Sequence, residues 1–338
     1  MRISEAGGEL GWIERVRATH AGAAGSGLAL PIGDDAAILD VPPGRQVVVT
    51  TDMLVETVHF RRDWSDPYSI GWKAAAVNLS DIAAMGAEPT FAFVSLAFTT
   101  DESVESLGRL YDGFSDCLNR YGARLAGGDT NASPSGLIVN VTQMGQVATG
   151  QAWTRAGARV GDVILVTGTL GEARGGLALL TEIGAARAEK MGPSVVLAHR
   201  RPQPRLVAAR TAAALPGAVR AAMDISDGLV VDLGKLCAAS GVGARLDSTR
   251  LPISEALRAA AEHLGLDAVD MALEGGEDYE FLLVTAPADA PGVMAAIAAS
   301  GTPCAAIGEI VKSGLHIIAP DGSGERPGER RGWDHFPQ

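Results

Sequence analysis

The stretch that most constrains this chain is Ala76-Val77-Asn78-Leu79-Ser80-Asp81-Ile82-Ala83-Ala84-Met85-Gly86. Helix formers with small side chains run to a Gly where a helix should stop. The surface of such a helix is apolar almost all round, which predicts burial on every side. Asn78 and Asp81 nonetheless sit inside it, three residues apart and so on one face. A buried carboxylate is costly unless donors or a cation hold it. Asp81 therefore either bonds a backbone or side-chain partner or faces a metal-bearing cleft.

The chain has 338 residues, enough for two domains with sizeable cores, and 47% of them are apolar. No apolar run reaches about 18 residues, so no transmembrane helix is expected. The N-terminus carries Glu5 and Glu9 and lacks the apolar segment of a secretory signal. Cys117, Cys237 and Cys304 form no Cys-x-x-Cys and read as free thiols of a reducing cytoplasm. The net charge of −12 argues against a nucleic-acid surface. An acidic protein that handles phosphates needs metal ions to bridge like charges.

The patterning predicts a mixed α/β chain, with a polar, Gly-rich junction near 148–162. Before it, helices are expected at 10–19, 67–85 and 104–121. Strands are expected at 36–41, 46–51, 91–98, 124–126 and 137–147. The Pro-Pro-Gly turn at 42–44 predicts a hairpin between the first two strands. After the junction, strands and helices alternate, with helices near 172–183, 204–215, 228–239, 252–264 and 287–300.

Five acidic motifs lie at predicted strand ends, turns or helix starts. They are Gly33-Asp34-Asp35, Thr50-Thr51-Asp52, Ser80-Asp81, Gly127-Gly128-Asp129-Thr130 and Met223-Asp224-Ile225-Ser226-Asp227-Gly228. Short oxygen ligands on Gly-rich loops suit Mg²⁺, which prefers oxygen and joins a few carboxylates to phosphates. Singly, each has a plainer reading: Asp227 as an N-cap, Asp35 and Asp129 as turn residues. Five together, in both halves, are harder to explain that way. No Walker loop, no Gly-x-Gly-x-x-Gly after a strand, no His-Glu-x-x-His and no Gly-x-Ser-x-Gly occurs.

These motifs, with Thr51-Asp52-Met53-Leu54-Val55, His59-Phe60 and Gly275-Gly276-Glu277-Asp278-Tyr279-Glu280, resemble the thiamine-monophosphate kinase family in order and spacing over nearly the whole chain. The resemblance implies a ferredoxin-like α/β N-terminal domain, residues 1–149, that binds Mg²⁺ and ATP and forms a homodimer. It implies an α/β C-terminal domain, 150–338, that completes the site. Asp35, Asp52, Asp81, Asp129, Asp224 and Asp227 would hold several Mg²⁺ ions, helped by Thr50 and Thr51. Gly128, Asp129, Arg155, Ser226 and Tyr111 would meet ATP; His59, Glu277 and Trp333 would meet thiamine monophosphate. Thr57 departs from the family pattern, which has Gly at that place. Two alternatives remain at this level: another ATP-using enzyme of the same superfamily, such as an aminoimidazole ribonucleotide or selenophosphate synthetase, or a non-catalytic metal- or nucleotide-binding module. The first Cys, at 117, argues against selenophosphate chemistry.

Overall fold

A computed structural model describes residues 8–20, 27–32, 36–318, 324–328 and 332. The chain divides into two compact units, Met1–Ile82 with Ala87–Gln151 and Ala83–Gly86 with Ala152–Gln338. Both are mixed α/β.

The first unit runs α1 (Gly8–Thr19), β1 (Leu28–Leu30), β2 (Ile38–Leu39), β3 (Arg45–Val55), α2 (Pro67–Ala84), β4 (Glu88–Phe98), α3 (Val104–Tyr121), β5 (Arg124–Ala132) and β6 (Ile138–Ala148). Its main sheet has the order β3-β6-β4-β5, antiparallel except for the parallel β4–β5 pair. The β-branched run in β3 alternates in burial. Val48, Thr50, Asp52 and Leu54 are the more buried set, whereas Val47, Val49, Thr51 and Met53 are exposed. The expected hairpin between 36–41 and 46–51 does not form. β2 pairs with β1, and β3 pairs along its whole length with β6. A turn does close at 42–45, the Arg45 N–H donating to the Pro42 carbonyl at 3.3 Å, but the strands on either side of it pair elsewhere.

Helix α2 is buried at every position from Ser69 to Ser80. It ends as its sequence requires: Gly86 takes φ +65°, and the Ala87 N–H donates to the Ile82 carbonyl at 3.1 Å. Two glycines explain how tightly α2 meets α3. A Cβ on Gly71 would lie 1.9 Å from the Leu110 carbonyl oxygen, and one on Gly113 would lie 1.9 Å from that of Tyr68. The two helix backbones touch, and any side chain at either place would push them apart.

The second unit runs β7 (Val163–Thr167), α4 (Glu172–Ile183), α5 (Ala185–Met191), α6 (Pro193–Arg200), α7 (Leu206–Ala213), β8 (Val219–Asp224), α8 (Leu229–Ser240), β9 (Gly243–Asp247), α9 (Glu255–Leu264), α10 (Ala268–Glu274), β10 (Phe281–Thr285), α11 (Ala290–Ala299), β11 (Cys304–Val311), β12 (Leu315–Ile318) and β13 (Glu325–Pro327). Its sheet has the order β13-β12-β9-β11-β7-β10-β8. Ile164, Val166, Met223, Leu233, Leu282 and Ile310 belong to one continuous core. The α5, α6, α10 and β9 segments are not foreseen by the patterning. They are short, and a few residues carry little periodicity. Glu280, 2% exposed, receives the Thr167 hydroxyl at 2.7 Å and both Nε and Nη2 of Arg205. This two-pronged pair joins β7, β10 and the start of α7.

Thr57 lies in the tight turn after β3 with φ +72°, the left-handed region that glycine occupies freely. Its β-branched side chain makes that conformation costly. Replacing Thr57 with Gly should therefore raise unfolding stability by about 1 kcal/mol, after subtracting the extra chain entropy of glycine. A higher urea midpoint with an unchanged slope is expected, and a lower midpoint would refute the strain. Arg205→Met should cost about 3 kcal/mol, because Glu280 would stay buried without its guanidinium. The same denaturation measurement checks this, and a loss below 1 kcal/mol would count against it.

Candidate active site

In the first unit, Thr50 and Asp81 meet. The Thr50 hydroxyl donates to Asp81 Oδ2 at 2.5 Å. Of the two readings open for Asp81, a side-chain partner is thus present in Thr50. Asn78, three residues back and fully buried, instead donates to the Ala74 carbonyl of its own helix at 3.0 Å. Asp52 follows Thr50 by two residues on the same side of β3. Thr51 projects to the other side, where its hydroxyl donates to the Val141 carbonyl at 3.0 Å. His59 closes the turn after β3. Its Nδ1 accepts the Val55 N–H at 3.0 Å, and its carbonyl accepts from Lys73 Nζ at 3.1 Å.

A second group sits at the other edge of that sheet. A cavity of about 830 Å³ is lined by Trp12, Phe93, Tyr111, Gly128 and Asp129, among others. The volume is in the range of small-ligand sites. Gly128 and Asp129 lie within β5 rather than in a turn, so the turn reading of Asp129 falls. A Cβ on Gly128 would come 2.1 Å from the Val94 carbonyl oxygen, so only glycine lets β5 pass there. The Tyr111 ring is buried and packs edge-on against Trp12, with centroids 5.5 Å apart. Burial pushes its hydroxyl pKa above the ordinary value. The register Asp52–Val141–Val94–Gly128 crosses three strand spacings. The backbones at Asp52 and Asp129 are therefore roughly 14 Å apart.

In the second unit, β8 ends at Asp224, 4% exposed, and runs into Ile225-Ser226-Asp227-Gly228. The Glu277–Tyr279 turn zips onto this loop. The Glu277 N–H donates to the Ser226 carbonyl at 2.8 Å, and the Tyr279 N–H to that of Ile225 at 2.9 Å. Glu277 and Tyr279 both have positive φ, 67° and 51°. Four of the expected residues, Asp224, Ser226, Asp227 and Glu277, thus share one loop pair. Asp227 does not cap α8, whose N-cap is Gly228 with no side-chain bond.

Asp232, in the first turn of α8, holds this loop from beneath. Its Oδ2 accepts the N–H groups of Ser226, Asp227 and Gly228 at 3.0, 2.9 and 3.2 Å. Lys235 Nζ donates to Asp232 Oδ1 at 2.7 Å and also to Asp227. Burial alone would lower the Lys235 pKa, but its hydrogen bonds to the two carboxylates outweigh that and raise it. Asp278 reaches the other way. It accepts the Gly171 N–H at 2.6 Å, supplying α4 with the N-terminal cap that its own sequence lacks.

Three neighbours were not anticipated: Asp232, Lys235 and His199, whose Nδ1 lies 3.0 Å from Glu277 Oε2. The i,i+3 spacing of Asp232 and Lys235 was visible, but it reads as an ordinary helix-surface pair. Arg155 lies apart from the Ser226 loop. Its carbonyl accepts the Ser240 hydroxyl at 2.9 Å, at the C-terminal end of α8 and about 18 Å from that helix's start. Asp35 and Trp333 lie outside the described residues. Among those residues, no three His, Cys, Asp or Glu side chains already converge on a common metal position. The donor sets present are hard oxygens, which suit Mg²⁺; that ion commonly takes one or two carboxylates and completes its shell with phosphate and water.

Family models described as AIR synthase related protein match the chain at residues 33–147 for the N-terminal domain and 159–319 for the C-terminal domain. Thiamine-monophosphate kinase of Escherichia coli K12 is 38% identical over 315 residues, covering 91% of this chain and 92% of its own. The crystal structure of thiamine-monophosphate kinase from Stenotrophomonas maltophilia K279a is 39% identical with a TM-score of 0.79, covering 90% of this chain and 95% of its own. A further solved structure, AaThiL complexed with AMPPCP and TMP, is 32% identical with a TM-score of 0.73 and covers 99% of both chains. With identity sustained through both units, this chain belongs to the thiamine-monophosphate kinase family.

Proposed function

We propose that this chain transfers the γ-phosphoryl group of ATP to the phosphate of thiamine monophosphate, yielding thiamine diphosphate by direct in-line attack assisted by Mg²⁺. The observation that carries the reading is the family membership over nine-tenths of the chain, reinforced by the likeness to a relative solved with AMPPCP and TMP. Both reactants are anions, so bringing them together is the main difficulty. Mg²⁺, when bound, supplies the charge neutralisation that lets the phosphates approach.

In the first unit, Thr50, Asp52 and Asp81 are the oxygen donors proposed to hold metal, with Asp35 beside them in the motif set; the Thr51 side chain, on the opposite face of β3, does not join them. The Thr50 hydroxyl orients Asp81 before any ligand arrives. The cavity with Tyr111, Gly128 and Asp129 is proposed to take ATP, with Asp129 a further metal ligand. In the second unit, Asp224 and Asp227 are proposed as metal donors and Ser226 as a phosphate contact. Arg155 is kept as an ATP contact, and His59, Glu277 and Trp333 as contacts to thiamine monophosphate. The acceptor phosphate is already ionised near neutral pH, so the residues need only position it. No strong base is required.

The chain is proposed to act as a homodimer. Support comes from the open face of the first sheet, where Val49 is 57% and Met53 53% exposed beside Val47. No described helix is long and apolar enough to cross a membrane. Cys117, Cys237 and Cys304 are all free, in keeping with a reducing cytoplasm.

A product assay with ATP, Mg²⁺ and a panel of phosphorylated acceptors tests the reading. Thiamine diphosphate should form from thiamine monophosphate alone; ATP consumption independent of that acceptor would overturn the proposal. Asp81→Asn should raise the barrier by about 3 kcal/mol while the protein still folds, and near-normal turnover at saturating Mg²⁺ would remove Asp81 from the metal set. Mg²⁺ and a non-hydrolysable ATP analogue together should raise the melting temperature by more than the sum of their separate shifts. Simple additivity in scanning fluorimetry would mean that metal is not shared between protein and phosphates.

A further inference from the structure

Lys235 places an ammonium where a metal cation would be useful. Its Nζ donates both to Asp227 and to Asp232 Oδ1, the latter at 2.7 Å. The two carboxylates differ in what else holds them. Asp232 is fully buried, and its other oxygen already takes three consecutive loop N–H groups. Asp227 is a third exposed at its side chain, and Lys235 is about equally exposed. The lysine stem is long and flexible, and its head reaches water. The amide bonds keep Asp232 and the Ser226–Gly228 backbone in place whether or not the ammonium is there.

We infer that Lys235 is a stand-in cation that neutralises Asp227 in the metal-free chain and gives way when a divalent ion binds that carboxylate. The inference rests on the proposal that Asp227 is a metal ligand. An ammonium and a divalent cation on one carboxylate oxygen repel, so one displaces the other. Lys235 is the movable partner, because Asp232 keeps its hold on the loop. In this role Lys235 is a positioning residue. In the metal-free chain it offsets the repulsion between the Asp227 and Asp232 charges, and it lowers metal affinity by competing for the site.

The test is Mn²⁺ alone, titrated calorimetrically into the full-length chain without nucleotide. Lys235→Gln removes the charge and should bind Mn²⁺ about tenfold more tightly than the unaltered chain, the size of an ordinary coupling between linked sites. The same variant should melt at a lower temperature without metal and recover most of the difference at saturating Mn²⁺. A purely structural lysine would give the first melting effect but no gain in affinity. Equal or weaker Mn²⁺ binding by Lys235→Gln, including no binding by either protein, overturns the exchange. Asp227→Asn separates the two levels. If it binds Mn²⁺ as the unaltered chain does, the assignment of Asp227 as a ligand fails. If it binds more weakly while Lys235→Gln shows no gain, only the exchange fails.

Discussion

A carboxylate removed from water must be given donors, and this chain meets that demand repeatedly with backbone amides and single side chains. Asp232 takes three loop N–H groups, Asp278 takes two at the start of α4, and Asp81 takes the Thr50 hydroxyl. Glu280 is gripped by Arg205 and Thr167, and Asp162 by Arg220 and the Arg159 N–H. The bonds of Asp81 to Thr50, Asp278 to Gly171 and Glu280 to Arg205 tie together segments that are not neighbours in a sheet. The loops bearing Ser226, Asp227 and Glu277 take their shapes from such contacts rather than from local propensity.

Close backbone approach is the second constraint. At Gly71 and Gly113, α2 and α3 come within contact of each other's carbonyls, and at Gly128 strand β5 passes against β4 in the same way. These contacts fix how α2 lies on α3 and how β5 lies on β4. The long fully buried run of α2 is compatible with this, because its alanines demand little room.

Much of the chemistry was legible before any fold was known. The interruption of an apolar helix by Asp81 required a partner, and the clustering of Asp224, Ser226 and Asp227 before a helix pointed to one loop. Thr57 stood out as a non-glycine at a glycine place, and its φ of +72° gives the physical meaning of that departure. What stayed hidden was pairing at a distance. Thr50 is 31 residues from Asp81, and nothing local to either says that they touch. The i,i+3 spacing of Asp232 and Lys235 is common on exposed helices and by itself signals nothing more. Only the loop folded above them reveals that one is fully buried and that the other bridges to Asp227.

The amino-acid sequence by itself determined the mixed α/β class, the helix end at Gly86, the absence of nucleotide loops of the Walker type and the family to which the motifs point. These rest on interactions within a few residues or on motif order, both of which are written along the chain. Tertiary structure alone decided that β3 pairs with β6 and not with the strand before it. It also decided that Arg155 lies at the far end of α8 from Ser226, and that Lys235 bridges two carboxylates. Strand partners, buried charges and close helix contacts are settled by which surfaces meet when the whole core packs. That competition involves residues tens to more than a hundred positions apart, and no local window contains it.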